Sequence, residues 1–268
     1  YNIPGLKIIL ASKIYNNINT NNLLEYSSSD LKILLEMILY LCPDMDVAKY
    51  SLAELYNDQK SEKIALNKLD SISSKSFFYL PSNLKLLSIL KSSKLDQKYK
   101  KYLLKNVDMW PNNIFIMLQF ADYEKSQNNY HHAVKIYKNI ISNNKDNNRI
   151  LFLYASALDK TGKWNEAQKI FMKILEKNPE DTYSLNYLAY NLALRNEDLD
   201  LALNFIKKAL SLDPNNGFFL DTLGWIEYKK SNFMSSVFYL EKSVIALPKS
   251  SEVIDHLGDC YLMLGRTN

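Results

Sequence analysis

Ala121, Ala155 and Ala189 lie 34 residues apart, and so do Ala133 and Ala167. Pro214 and Pro248 keep the same interval, with Pro179 closing an earlier unit. A fixed period of this length leaves room for two helices and two turns, with small residues where the helices touch. Each unit alone leaves an apolar face exposed, so the units must stack, and the chain must form an extended array rather than a single closed core.

Composition agrees with helices. Only 6 Gly and 7 Pro occur in 268 residues, too few for a turn-rich all-β fold. Hydrophobic residues reach 47%, enough to bury a core and too many for a disordered chain. The 33 basic and 29 acidic residues nearly balance, which argues against a nucleic-acid partner. Lys91, Lys94, Lys98, Lys100, Lys101 and Lys105 read as the solvated face of an amphipathic helix. Cys42 and Cys260 sit at opposite ends and are expected as separate, small hydrophobes. No apolar run is long enough to span a membrane. Tyr1 stands where Met would be, so a leader or lipid anchor upstream is left open.

The clearest unit runs from Asn148 to Asp181. Leu151, Tyr154, Ala155 and Leu158 share one helical face, Thr161, Gly162 and Lys163 make a turn, and Trp164, Ala167, Phe171 and Ile174 share a second face. Asn178 and Pro179 end it, because the residue before proline is pushed out of helical geometry. Units at 182–216 and 217–250 follow, the former one residue longer in the turn around Arg195 to Leu199. A half unit begins at Ser251 and stops at Asn268. Upstream, units starting at 46, 80 and 114 hold the phase with poorer matches, the last with Lys145 where proline would fall. The sequence thus divides into a degenerate first repeat with a long turn through Asn16 to Ser29 (1–45), three divergent units (46–147), three well-matched units (148–250) and a half repeat (251–268).

Ala155, Ala167 and Pro179 fit the small-residue and proline positions of the tetratricopeptide repeat family, which nearly the whole chain resembles. Ile174 departs toward a larger side chain, and Glu227 stands where an aromatic is usual. The resemblance implies an all-α fold: a right-handed superhelical solenoid of antiparallel helix pairs with about seven and a half repeats. The run LNYLAYNLALRNEDLDLALNFIKKALSLDPNNGFFLDTLGWIEYKK, followed by IDHLGD, is similar to tetratricopeptide proteins of Gram-negative bacteria. That likeness implies a periplasmic or outer-membrane-associated protein, with the cytoplasm as the alternative, and an adaptor role in envelope protein quality control or assembly.

Little in the chain suggests catalysis. His131 and His132 adjoin, so their side chains diverge and cannot form a metal pair at helical spacing. His256 lies near Asp255 and Asp259 without a nucleophile, and reads as a hydrogen-bonded structural or groove residue. Phosphate-binding glycine loops and zinc-spaced cysteines are absent from the sequence, so no catalytic residue, metal site or cofactor is assigned. Gly217, Gly224 and Gly258 are attributed to helix packing and turns.

The family resemblance implies that the second, fifth, ninth and twelfth positions of each unit line an inner groove. These are Arg149, Phe152, Ser156 and Asp159; Tyr183, Asn186, Tyr190 and Ala193; Phe218, Asp221, Trp225 and Tyr228; and Glu252, Asp255, Asp259 and Leu262. Trp225 and Tyr190 are the preferred anchors, because Leu223, Gly224, Leu188 and Ala189 already fill the packing positions beside them. Phe152 and Phe218 read equally well as core. Asp159, Asp221 and Asp255 predict an acidic wall that repels an acidic tail and favours a basic or neutral extended segment. The expected function is a non-enzymatic scaffold holding a partner peptide or helix. The alternatives are a recruiting arm of an enzyme whose catalytic domain lies elsewhere, and self-association through the unpaired last helix.

Overall fold

The structure, a computed structural model, describes residues 4–20, 26–143 and 147–265. Fifteen α-helices follow one another among the described residues. They are α1 (Pro4–Thr20), α2 (Ser28–Leu41), α3 (Asp46–Asp58), α4 (Glu62–Asp70), α5 (Tyr79–Ser92), α6 (Asp96–Met109), α7 (Ile114–Ser126) and α8 (Tyr130–Asn143), and then α9 (Asn148–Lys160), α10 (Trp164–Lys177), α11 (Thr182–Arg195), α12 (Leu199–Leu212), α13 (Gly217–Lys229), α14 (Phe233–Ala246) and α15 (Ser251–Met263). Helix starts at 46, 79, 114, 148, 182, 217 and 251 keep the sequence period within one residue. The result is an all-α solenoid of helix pairs with α15 as a half unit. The long turn expected from Asn16 begins later, because α1 continues to Thr20. Lys145 lies outside the described residues.

Two compact units divide the chain, residues 1–120 and 121–268. In the first, each helix from α1 to α5 packs on the next. In the second, the helices from α8 to α15 do the same, and α13 also contacts α11 and α15, its counterparts in the neighbouring units.

Apolar spacing explains why each helix turns the face it does. On α10, Trp164, Ala167, Phe171 and Ile174 recur every three or four residues, and all four are buried. Small residues allow the close approach. A Cβ on Gly224 would meet Leu240 Cγ at 2.6 Å, and one on Gly217 would meet Leu247 Cγ at 2.6 Å. Gly258 differs from expectation, since a Cβ there would meet nothing within 4 Å among the described residues. Glu227, at the position where an aromatic is usual, accepts from Asn232 Nδ2 at 2.7 Å, while Tyr228 packs edge-on against Phe233.

The period is also written in the backbone. Lys60, Lys94, Asn128, Gly162, Asn196, Ser231 and Gly265 all take positive φ, between 54° and 82°, each in the turn that follows a first helix. At the first six of these the chain reverses so that the next amide reaches back to the helix; Lys163 N donates to Leu158 O at 3.1 Å and Asn232 N to Glu227 O at 2.8 Å. This is the left-handed closure usually given to glycine, and five of the seven positions carry a side chain there, at a steric cost. The extra residue of 182–216 falls in the expected turn, where Asp198 adds a second positive φ of 26° and then caps α12 by accepting from Leu201 N at 3.1 Å.

Candidate binding face of the second unit

First helices α9, α11 and α13 begin with a polar cap that fixes where each helix starts. Asn147 accepts from Ile150 N at 3.2 Å, Asp181 from Ser184 N at 3.0 Å, and Asn216 from Phe218 N at 3.1 Å. The cap sets the phase, so the second residue of each helix occupies an equivalent place. Those residues, with the one in the same place on α15, are Arg149, Tyr183, Phe218 and Glu252, and all are exposed. Tyr183 is 71% exposed and Phe218 61%, large values for aromatic rings in a protein with an ample core.

Between α9 and α11 lies a cleft of about 470 Å³ lined by Asn148, Arg149, Phe152, Leu153, Asp181 and Tyr183. The cleft therefore unites three of the residues that the repeat positions single out, Arg149, Phe152 and Tyr183. Phe152 is held from behind, edge-on to Phe171 at 5.3 Å and to Tyr187 at 5.6 Å between centroids. Two amide oxygens on this face, Asn148 Oδ1 and Asn186 Oδ1, are buried and have no hydrogen-bond partner among the described residues. Such acceptors are costly to leave unmade.

Below the cleft, Asp159 is buried and fully engaged. Its Oδ1 lies 2.5 Å from Arg195 Nη2, and its Oδ2 accepts from the Tyr187 hydroxyl at 2.9 Å. Arg195 also donates to Asn191 Oδ1 at 2.6 Å and stacks 4.4 Å over the Trp164 ring. Trp164 Nε1 in turn donates to Glu197 at 3.2 Å. Burial, then the charge of Asp159, pushes the Tyr187 phenol well above its ordinary range.

The other end of the face is closed by its own side chains. Trp225 is only 8% exposed, a different outcome from that expected of a preferred anchor. His256 from the following helix stacks on it at 4.1 Å, and Tyr228 stacks on it at 4.8 Å. His256 Nδ1 lies 2.9 Å from Asp221 Oδ1, so the imidazole's partner is a carboxylate 35 residues away rather than its sequence neighbours Asp255 and Asp259. Those two remain exposed on α15. Tyr190 reaches past α13 to donate its hydroxyl to Glu252 Oε1 at 2.6 Å. Burial first, then Glu252, raises its phenol far above the usual tyrosine value. Burial, then Asp259, raises Tyr228 too.

The expected acidic wall is thus corrected. Asp159 is neutralised by Arg195 and Asp221 is bonded to His256, so among the three predicted carboxylates only Asp255 faces water. Residues beyond the repeat positions complete the site: Asn148, Asp181, Arg195, Tyr187 and His256. Among the described residues, no three His, Cys, Asp or Glu side chains gather as a metal site would require. His132 is exposed and lies 3.0 Å from Glu124. Both cysteines are free thiols, and Cys260 is buried against Ser236 Oγ at 2.9 Å. No helix among the described residues is long and apolar enough to cross a membrane.

The tetratricopeptide repeat family model matches residues 125–188, the stretch from the end of α7 into α11. A TPR repeat-containing protein of Pseudomonas aeruginosa is 24% identical over 218 residues, covering 80% of this chain and 36% of that protein. Another, from Methanocaldococcus jannaschii, is 34% identical over 108 residues, 39% of this chain and 18% of that protein. The chain therefore spans about a third or less of the length of these relatives. Among solved structures, PilW, a type IV pilus biogenesis factor, superposes with a TM-score of 0.63 at 15% identity, covering 79% of this chain and 98% of that one. This likeness concerns the fold. Residues 125–188 thus resemble tetratricopeptide repeats, and the 34-residue period and the helix pairs continue on both sides of that segment.

Proposed function

We propose that the chain is a protein-interaction scaffold whose second unit holds an extended segment of another polypeptide across α9, α11, α13 and α15. The observation that carries this reading is the exposure of Tyr183 and Phe218 beside the cleft built by Arg149 and Phe152. Rigid aromatics with orienting polar neighbours are what binding hot spots are made of. A photo-crosslinking residue at Phe218 tests the reading in the native cell, with a control at Lys207 on α12. Adducts with another polypeptide are expected from Phe218 and not from Lys207; equal yields from both sites, or none from Phe218, would refute it.

The compartment is part of the proposal. Likeness of the 185–230 region to tetratricopeptide proteins of Gram-negative bacteria favours the periplasm or the outer membrane, and an adaptor role in envelope protein quality control or assembly. Fractionation of native cells with a cytoplasmic marker checks it, and co-fractionation with that marker would overturn it.

A further inference from the structure

The second positions of the four first helices run from cation through two aromatics to anion: Arg149, Tyr183, Phe218, Glu252. They are one repeat apart and all exposed. Among the described residues, Arg149 has no carboxylate within ion-pair distance, although Asp181 lines the same cleft as the cap of α11. At the far end, α15 exposes Glu252, Asp255 and Asp259 and carries no Lys or Arg. The central carboxylates Asp159 and Asp221 are already engaged with Arg195 and His256. The face is therefore polar end to end, positive at α9 and negative at α15.

Resting on the scaffold reading, we infer that the guest is an extended segment of mixed charge, with an acidic residue at the α9 end, two bulky apolar side chains between, and a basic residue at the α15 end. Packed helices such as α11 and α13 lie about 8–10 Å apart and an extended chain advances about 3.3 Å per residue, so the step from Tyr183 to Phe218 takes roughly three guest residues. One apolar side chain fills the Phe152–Tyr183 cleft and the next covers Phe218. The arrangement excludes a uniformly basic guest, which Arg149 repels, and a uniformly acidic one, which α15 repels. It admits either chain direction, because the rail reads side chains.

Selection of displayed random peptides of about ten residues on the whole chain tests the inference. Enriched peptides should carry two bulky apolar residues about three apart, an acid on one side and a base on the other. Against those peptides, Phe218→Ala should weaken binding roughly thirtyfold. Arg149→Glu should weaken it roughly tenfold and, in a fresh selection, enrich bases at both ends. Ile245→Glu, on the exposed side of α14, should change nothing. Enriched peptides of one charge sign, or peptides indifferent to Phe218→Ala and Arg149→Glu, would overturn the inference and leave the scaffold reading standing. If nothing is enriched, the scaffold reading itself fails.

Discussion

At its α9–α11 end the candidate face is open, and at its α13–α15 end it is filled by the protein's own side chains. Equivalent repeat positions behave differently in the two places. Phe152, at the fifth position, borders a cleft, whereas Asp221 at the same position is buried against His256. The cause lies between the helices. The backbones of α11 and α13 pack closely, and α13 contacts α15, while α9 and α11 meet mainly through Phe152, Tyr187, Asp159 and Arg195. Where backbones stand apart, side chains must span the gap and a cleft remains. A position in a repeat thus fixes which way a side chain points, and its neighbours decide whether a guest can reach it.

The largest test of this contrast is Trp225→Ala. If Trp225 is interior, losing its stack with His256 and Tyr228 should cost about 3–5 kcal/mol in urea unfolding followed by circular dichroism. A loss below about 0.5 kcal/mol would mean that this end is open after all. Arg195→Ala comes next, at about 3 kcal/mol, because it strands the buried Asp159 carboxylate. Replacing both Asp159 and Arg195 by Ala should cost less than the two single changes added together, as expected for one coupled pair.

Alkaline titration sharpens the contrast further. Tyr187 and Tyr190 have phenols raised by burial and by Asp159 and Glu252 respectively. The folded chain holds these protons to higher pH than the unfolded chain, whose tyrosines ionise near about 10. Their contribution to stability is therefore complete below about pH 10 and is lost as pH rises beyond it. Tyrosinate absorbance should show both ionising above the unfolded-chain value of about 10, and Glu252→Gln should bring only Tyr190 forward. Ionisation of both at about 10 would contradict the buried geometry.

Smaller effects are expected at the turns. Ser231 sits at φ 64° where Gly162, two repeats earlier, sits at 82°, so Ser231→Gly should stabilise by up to about 1 kcal/mol, net of the entropy glycine adds to the unfolded chain. A rise in the thermal midpoint checks it, and a fall would mean the serine is not strained.

The fold was legible because its determinants are local and periodic. Ala155, Ala167 and Pro179 announce helix contact and helix end by residue type alone. Gly162 announces its turn, but Lys60, Lys94 and Ser231 occupy the same left-handed place without a matching residue type, so only the period finds them. The face was legible in position and illegible in state. Asp159 was readable as inward-facing, yet its partner Arg195 lies 36 residues on, and nothing in the spacing predicts the 2.5 Å contact. Trp225 was readable at its groove position, but its cover is a ring from the next repeat. The open cleft depends on helix separation, which the sequence does not state.

The most direct test of the central claim is one double variant, Tyr183→Ala with Phe218→Ala, measured for both thermal midpoint and crosslinking from Asn186. Both rings are largely exposed, so the midpoint should shift little, within about 0.5 kcal/mol of stability, while the partner adduct is lost. A midpoint that collapses together with the adduct would place these rings in the core, and an adduct that survives unchanged would place the partner elsewhere.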